Sequence, residues 1–148
     1  MILIFQRILS HYRAPVFKEL NKRIGFTLFY GKRGPRGTFI SQASPDFPHY
    51  CLQDFYPIKQ IDTLGIQDVM TPLAKFKPDI IIIEFALWIL SNWILLFLRP
   101  FFRYKIILWS HGYNRKNGFD PKKSLVDRMR LWWLNKADAV ILYGQKGK

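Results

Sequence analysis

The stretch Lys105-Ile-Ile-Leu-Trp-Ser-His-Gly112 is an apolar run that opens onto a polar segment containing a histidine. The consecutive aliphatic residues 106–108 are typical of a strand covered on both faces, as in a parallel sheet flanked by helices. Ligands of open parallel sheets bind just outside the carboxyl ends of the strands. The sequence therefore predicts that Ser110, His111 and Gly112 lie at the mouth of a site, with His111 as the main candidate for ligand contact.

Apolar runs alternate with helix-like segments along the rest of the chain, and this pattern predicts an α/β fold with a Rossmann-like parallel sheet flanked by helices. Glycines and prolines between residues 31 and 50 predict a long loop with a short hairpin. The predicted strands are 2–5, 26–30, 52–56, 80–83, 105–108 and 139–143. The predicted helices are 15–24, 63–76 with a break at Pro72, 87–98, and one that begins at Asp120 and Pro121.

Two features of the predicted helices can be stated more closely. Pro15 suits a first helical position and Gly25 a helix end, so the first helix should carry Val16, Phe17, Leu20 and Ile24 on one face. In the last helix the apolar residues share one face and the remainder is basic. Those apolar residues are Leu125, Met129, Trp132 and Trp133.

Composition limits the class of protein. The chain has 148 residues, 49% of them hydrophobic, which excludes a disordered protein and suits a single domain. A net charge of +13 indicates an anionic partner such as nucleic acid, a membrane surface or a phosphorylated ligand. The single cysteine, Cys51, excludes a disulfide framework, and the first residues lack the pattern of a signal peptide. We therefore predict a cytoplasmic protein.

The segment 80–98 contains a single charge, Glu84, and is close to the length of a membrane span. A strand, a loop and a helix fit better, because a carboxylate in mid-bilayer costs ~2.5–3.5 kcal/mol. The helical part, Leu87–Leu98, is apolar on every side apart from Ser91 and Asn92, and basic and aromatic residues follow it. Such a helix either dips into an anionic membrane surface, such as the inner face of the plasma membrane, or is buried against a second domain or a partner.

Motifs with established chemistry are few. The chain has neither a dinucleotide nor a complete phosphate-loop glycine pattern, and zinc-site spacing and a hydrolase elbow are also missing. Tyr12 and Arg13 follow the first predicted strand beside a helix N-terminus, a position that favours anions. Glu84 ends a buried strand, where a carboxylate needs a partner. It fits a structural ion pair better than a catalytic or binding role.

Four segments together resemble the N-terminal domain of GT-B glycosyltransferases of family 4, in order and spacing along nearly the whole chain. These segments are Ser10-His-Tyr-Arg-Ala-Pro-Val-Phe-Lys-Glu-Leu20, Lys77-Pro-Asp-Ile-Ile-Ile-Ile83, Ile107-Leu-Trp-Ser-His-Gly-Tyr-Asn114 and Lys136-Ala-Asp-Ala-Val-Ile-Leu-Tyr-Gly-Gln-Lys-Gly-Lys148.

The resemblance implies two Rossmann-like domains facing across a cleft, the first holding the acceptor and the second the nucleotide-sugar. It implies transfer with retention of anomeric configuration to a glycan or lipid-linked acceptor, no cofactor, and commonly no metal. Tyr12 and Arg13 would lie at the cleft, His111 would reach the transferred sugar, and Gly112 would let backbone approach the ligand.

A relative would continue beyond residue 144 into the donor domain. We therefore expect residues 1–148 to form only the acceptor-side domain, inactive alone and dependent on a separate donor domain for the nucleotide-sugar. The main alternative is a non-enzymatic basic α/β module that binds membranes. Nucleic-acid binding is less expected, because the aromatic residues fall mostly at core-like positions and do not interleave along a basic groove.

Overall fold

The computed structural model of the chain describes residues 1–32, 45–55, 64–110 and 118–142. The strands within these ranges are β1 (Ile2–Ile8), β2 (Thr27–Gly31), β3 (His49–Leu52), β4 (Asp54–Phe55), β5 (Ile66–Gln67), β6 (Ile80–Glu84), β7 (Lys105–Ser110) and β8 (Ala139–Leu142). The helices are α1 (Ala14–Ile24), α2 (Met70–Phe76), α3 (Leu90–Phe102) and α4 (Leu125–Lys136).

The main sheet has six strands in the order β3-β2-β1-β6-β7-β8, and every neighbouring pair is parallel. β4 and β5 form a small antiparallel pair apart from it. The chain builds the sheet outward from β1 in one direction and then from β6 in the other. The predicted Rossmann-like α/β fold is therefore confirmed, and the change of direction falls between β1 and β6.

Helices cover the two faces of the sheet unequally. Phe17 of α1 packs on one face together with Ile4 and Leu28. The other face is covered by α2, α3 and α4, through Leu73, Leu95 and Trp133 among others. Leu3, Ile81 and Ile106 expose none of their surface, as the sequence predicted. The run 106–108 is not covered throughout, however, because Ile107 is only half-buried. In α1, however, Val16 and Ile24 are exposed, so only part of the predicted apolar face is core.

The predicted helices 63–76 and 87–98, like the last one, begin later than the sequence indicated, since α3 starts only at Leu90. Residues 63–76 were predicted as one helix, but β5 occupies Ile66–Gln67 and α2 starts only at Met70, with Pro72 in its first turn. A first-turn proline loses no helical hydrogen bond, because its missing N–H would lie unpaired there in any case. Residue 63 itself lies outside the described residues.

The N-cap predicted at Asp120 is wrong. α4 is capped by Ser124, whose hydroxyl accepts a hydrogen bond from the Asp127 N–H at 3.2 Å. Asp120 instead closes the preceding turn, where its carboxylate accepts from the Lys122 N–H. The pKa of the Asp127 carboxyl lies below its usual value, mainly because it accepts a hydrogen bond from the Asp120 N–H and also because it accepts one from Arg130.

The edge of the sheet formed by the amino ends of its strands is tied together by polar contacts. The Asp138 carboxylate accepts the Ile106 N–H at 2.8 Å and an Arg99 N–H at 2.8 Å, so that α3, β7 and the start of β8 are joined. The Tyr104 hydroxyl donates to the Leu95 carbonyl inside the core, and burial raises the pKa of Tyr104 above its usual value. These contacts hold α3 and the amino ends of β7 and β8 together.

The segment 80–98 forms the predicted strand, loop and helix, as β6 and α3. α3 runs on to Phe102, beyond the predicted end at Leu98, and contains Pro100. Among the helices of the described ranges, none has the length and apolar character needed to span a membrane.

Candidate functional site

Arg13 and Glu84 form an ion pair where the sheet changes direction. Arg13 follows β1 and Glu84 is the last residue of β6, so the two side chains meet at the carboxyl ends of the two central strands. The Arg13 Nη1 lies 3.3 Å from Glu84 Oε1 and donates to Gln6 Oε1 at 2.7 Å. Both side chains are largely buried, with 11% and 15% of their surfaces exposed. In open α/β sheets this position is the ordinary ligand site.

A β-bulge at Arg7 turns the backbone toward this pair. The pairing of β1 with β2 shifts register between Gln6 and Ile8, so Arg7 has no partner on β2. Its N–H instead donates to Glu84 Oε2 at 3.2 Å. Bulges are common beside functional sites, because they free a backbone group from the ladder. The two carboxylate oxygens of Glu84 are thus held by different donors, one backbone and one guanidinium.

Gln67 connects the bulge to the small sheet. Its Nε2 lies within hydrogen-bonding distance of three acceptors: the Gln6 carbonyl at 3.2 Å, the Arg7 carbonyl at 3.3 Å and Asp54 Oδ1 at 3.0 Å. Its backbone N–H donates to the Ser91 hydroxyl at 2.6 Å. A buried amide shared in this way holds the end of β1, from which the Arg7 N–H donates to Glu84.

Asn92 holds the loop that follows β6. Its side-chain amide donates to the Glu84 carbonyl at 2.9 Å and lies 3.4 Å from the Ala86 carbonyl. Asn92 and Ser91 are the polar residues that interrupt the apolar α3 segment, and both are buried. Their polarity is therefore explained by contacts with the strand ends.

The structure brings together only some of the residues that the sequence selected. Arg13 and Glu84 are in contact, and the Tyr12 ring lies beside them with its centroid 5.9 Å from the Arg13 guanidinium carbon. Tyr12 is 63% exposed, so its ring is available to a ligand. Ser110 ends β7 and is 95% buried, which makes its hydroxyl a part of the wall. His111 and Gly112 lie outside the described residues.

Sequence reasoning missed the polar side chains that support the ion pair, namely Gln6, Asp54, Gln67 and Asn92. A signal existed for Gln6, since it interrupts the apolar run of β1, and for Asn92, which interrupts the apolar α3. Asp54 and Gln67 lie in short strands without a clear pattern, so the sequence carried no comparable signal for them.

The described part of the site offers no activated nucleophile and no metal cluster. Burial and then the nearby Asp54 carboxylate raise the pKa of the Cys51 thiol, which keeps it protonated at neutral pH. Within the described ranges, no group of three or more histidine, cysteine, aspartate or glutamate side chains could hold a metal ion. The arrangement offers instead a guanidinium, a carboxylate and an exposed phenol ring. These groups suit hydroxyl-bearing or anionic ligands.

Replacing Gly31 with alanine is expected to lower the free energy of unfolding by about 2 kcal/mol, because a Cβ at this position would overlap the Asp54 carboxylate and the Arg7 carbonyl. Urea denaturation would measure the loss. In the double variant Gly31→Ala/Asp54→Ala part of the overlap is absent, so its loss should be smaller than the sum of the two single losses. Simple additivity would contradict the proposed contact.

Comparison with known proteins found no matching family model, no matching curated protein and no matching solved structure. What the fold defines is therefore the class: a Rossmann-like α/β protein whose candidate site lies at the change of direction in the sheet.

Proposed function

We propose that this chain forms the acceptor-binding side of a retaining glycosyltransferase, which moves a sugar from a nucleotide-sugar to a glycan or lipid-linked acceptor. The observation that carries the proposal is the Arg13–Glu84 pair at the carboxyl ends of β1 and β6. The resemblance of segments 10–20, 77–83, 107–114 and 136–148 to family 4 GT-B enzymes supports it independently.

The side chains have chemistry that suits an acceptor sugar. Glu84 presents acceptor oxygens and Arg13 presents donors, and sugar hydroxyls use both kinds of hydrogen bond. The exposed Tyr12 ring offers an apolar face with a polar tip, against which a sugar ring can pack. By the family resemblance, His111 would reach the transferred sugar or reacting centre and Gly112 would let backbone approach the ligand. The buried Ser110 would form part of the wall. The nucleotide-sugar would be held by a donor domain facing this one.

Binding of soluble glycans tests this proposal. The chain should bind some of the glycans on an array that carries bacterial and eukaryotic glycans. Tyr12→Ala should weaken that binding by about tenfold, because an aromatic platform worth roughly 1.4 kcal/mol is lost. Because Tyr12 is exposed, the variant should fold normally, and its circular dichroism spectrum would confirm this.

The matched control is Phe101→Ala. Phe101 is also exposed but belongs to α3, at the opposite edge of the sheet from the ion pair. Glycan binding should be unchanged in this variant. If no glycan binds, or if both variants weaken binding equally, the proposed function is wrong.

A further inference from the structure

The outer surface of α3 and α4 carries large apolar side chains in contact with solvent. Phe101 is 81% exposed, Leu125 68% and Phe97 66%, whereas a soluble monomer normally exposes such residues singly. Phe97 and Phe101 lie one helical turn apart, so they project on the same side of α3. We define the α3–α4 face as the following set: Trp93, Phe97, Phe101, Leu125, Met129 and Trp132.

The α3–α4 face is continuous along both helices. The rings of Trp93 and Trp132 stack with their centroids 5.9 Å apart, one from each helix. Trp132 borders two grooves. One contains Phe97 and lies at the C-terminal end of α4, and the other contains Leu125 and Met129 and lies at its N-terminal end. Five of the six apolar side chains therefore form one surface, and Phe101 extends it by one helical turn beyond Phe97.

Basic side chains surround this surface. Arg103, Lys105 and Lys136 border the groove beside Phe97, and Arg128 borders the groove beside Leu125. Within the described ranges, none of these four has a carboxylate within 4 Å. The acidic residue that borders the grooves, Asp138, is paired with Arg99 at 2.8 Å. The charge left over is positive, so the face is complementary to an anionic partner.

We propose that the α3–α4 face is a docking surface for an anionic lipid bilayer. Phenylalanine side chains have no hydrogen-bonding group to desolvate, so Phe97 and Phe101 can enter the acyl boundary while arginine and lysine meet the lipid phosphates. Trp132 is suited to the headgroup level between them. Single-stranded nucleic acid fits less well, because base stacking needs rings spaced along the path of a strand, whereas Phe97 and Phe101 project from one side of a single helix.

This surface is separate from the candidate site. Arg103 and Lys105 lie at the amino end of β7, whereas Arg13 and Glu84 lie at the carboxyl ends of the central strands. The proposal therefore does not rest on the proposed function, and either can fail without the other.

Flotation of the intact chain with vesicles tests the proposal. The chain should float with vesicles of phosphatidylglycerol and phosphatidylcholine, should bind pure phosphatidylcholine much less, and should dissociate as salt is raised. The double variant Phe97→Ser/Phe101→Ser should lower the partition coefficient at least about tenfold. Arg103→Gln and Lys136→Gln should each lower it about fivefold, and only on anionic vesicles.

Matched controls come from the other edge of the sheet. Phe55→Ser removes an exposed aromatic ring and Lys32→Gln an exposed cation, and neither should change vesicle binding. Equal binding to anionic and neutral vesicles, or no effect of the α3–α4 substitutions, would overturn the proposal. The proposal would also be overturned if the wild-type chain did not bind vesicles but formed a homodimer, or bound single-stranded DNA, and the same substitutions abolished that association.

Discussion

Arg13→Met is expected to lower the free energy of unfolding by about 3 kcal/mol. The substitution removes the guanidinium that lies 3.3 Å from Glu84 and bonds Gln6 at 2.7 Å, and leaves both acceptors in a largely buried place. A charge stranded in this way costs more than the pair itself contributes, which is why the loss should be large. Urea denaturation at neutral pH would measure it.

The matched control is Arg23→Met. Arg23 also lies 3.2 Å from a glutamate, Glu19, but its side chain is 73% exposed on α1. Exposed pairs of this spacing are worth about 0.3–0.5 kcal/mol, so the control should lose little. Similar losses in the two variants would show that burial of the Arg13–Glu84 pair has no energetic consequence.

Trp133→Ala is expected to lower the free energy of unfolding by about 3–5 kcal/mol. Trp133 is only 1% exposed and packs against Phe85 and Trp93, so its removal leaves a large cavity between α4 and the sheet. Thermal and urea denaturation should agree on the size of the loss. In the same helix Trp132→Ala should cost far less, because Trp132 is 43% exposed.

The indole of Trp133 adds a second, more specific expectation. Its Nε1 is buried and has no hydrogen-bond acceptor among the described residues. Trp133→Phe keeps most of the packing and removes this unsatisfied donor, so it should cost only about 1 kcal/mol. A loss as large as that of the alanine variant would mean that the indole N–H does have a partner.

The central strands could be predicted from sequence because their signal is local. Ile80–Ile83 and Ile106–Leu108 are β-branched or aliphatic runs between turn residues, and both lie in the observed strands. The start of α1 beside Pro15 and its end at Gly25, which has a φ of 58°, followed from the same short-range rules.

The last helix shows where local rules fail. Asp120 and Ser124 are both good capping residues, and the choice between them depends on which turn packs beneath α4. The sequence also placed Trp132 and Trp133 together on one face. In the structure Trp133 is core, whereas Trp132 faces outward with Leu125 and Met129. Helical periodicity gives the angle between side chains but cannot say which side meets the sheet.

The sequence could predict that Arg13 and Glu84 each follow or end a strand, but not that the two side chains contact each other. Arg13 and Glu84 are 71 residues apart in the chain, and their contact follows from the order of the strands. The bulge at Arg7, which directs a backbone N–H to Glu84, has no sequence signature of its own. Pairing across a sheet is a property of topology, which no local pattern encodes.

The same strand order has a consequence for folding during synthesis. β1 is made before both of its neighbours, and one of them, β6, leaves the ribosome only about 80 residues later. Parallel pairing of this kind has high contact order and slow kinetics. At about 5–20 residues per second, one edge of β1 therefore stays unpaired for several seconds. Nascent chains of this protein should accordingly depend on chaperone protection until β6 has emerged.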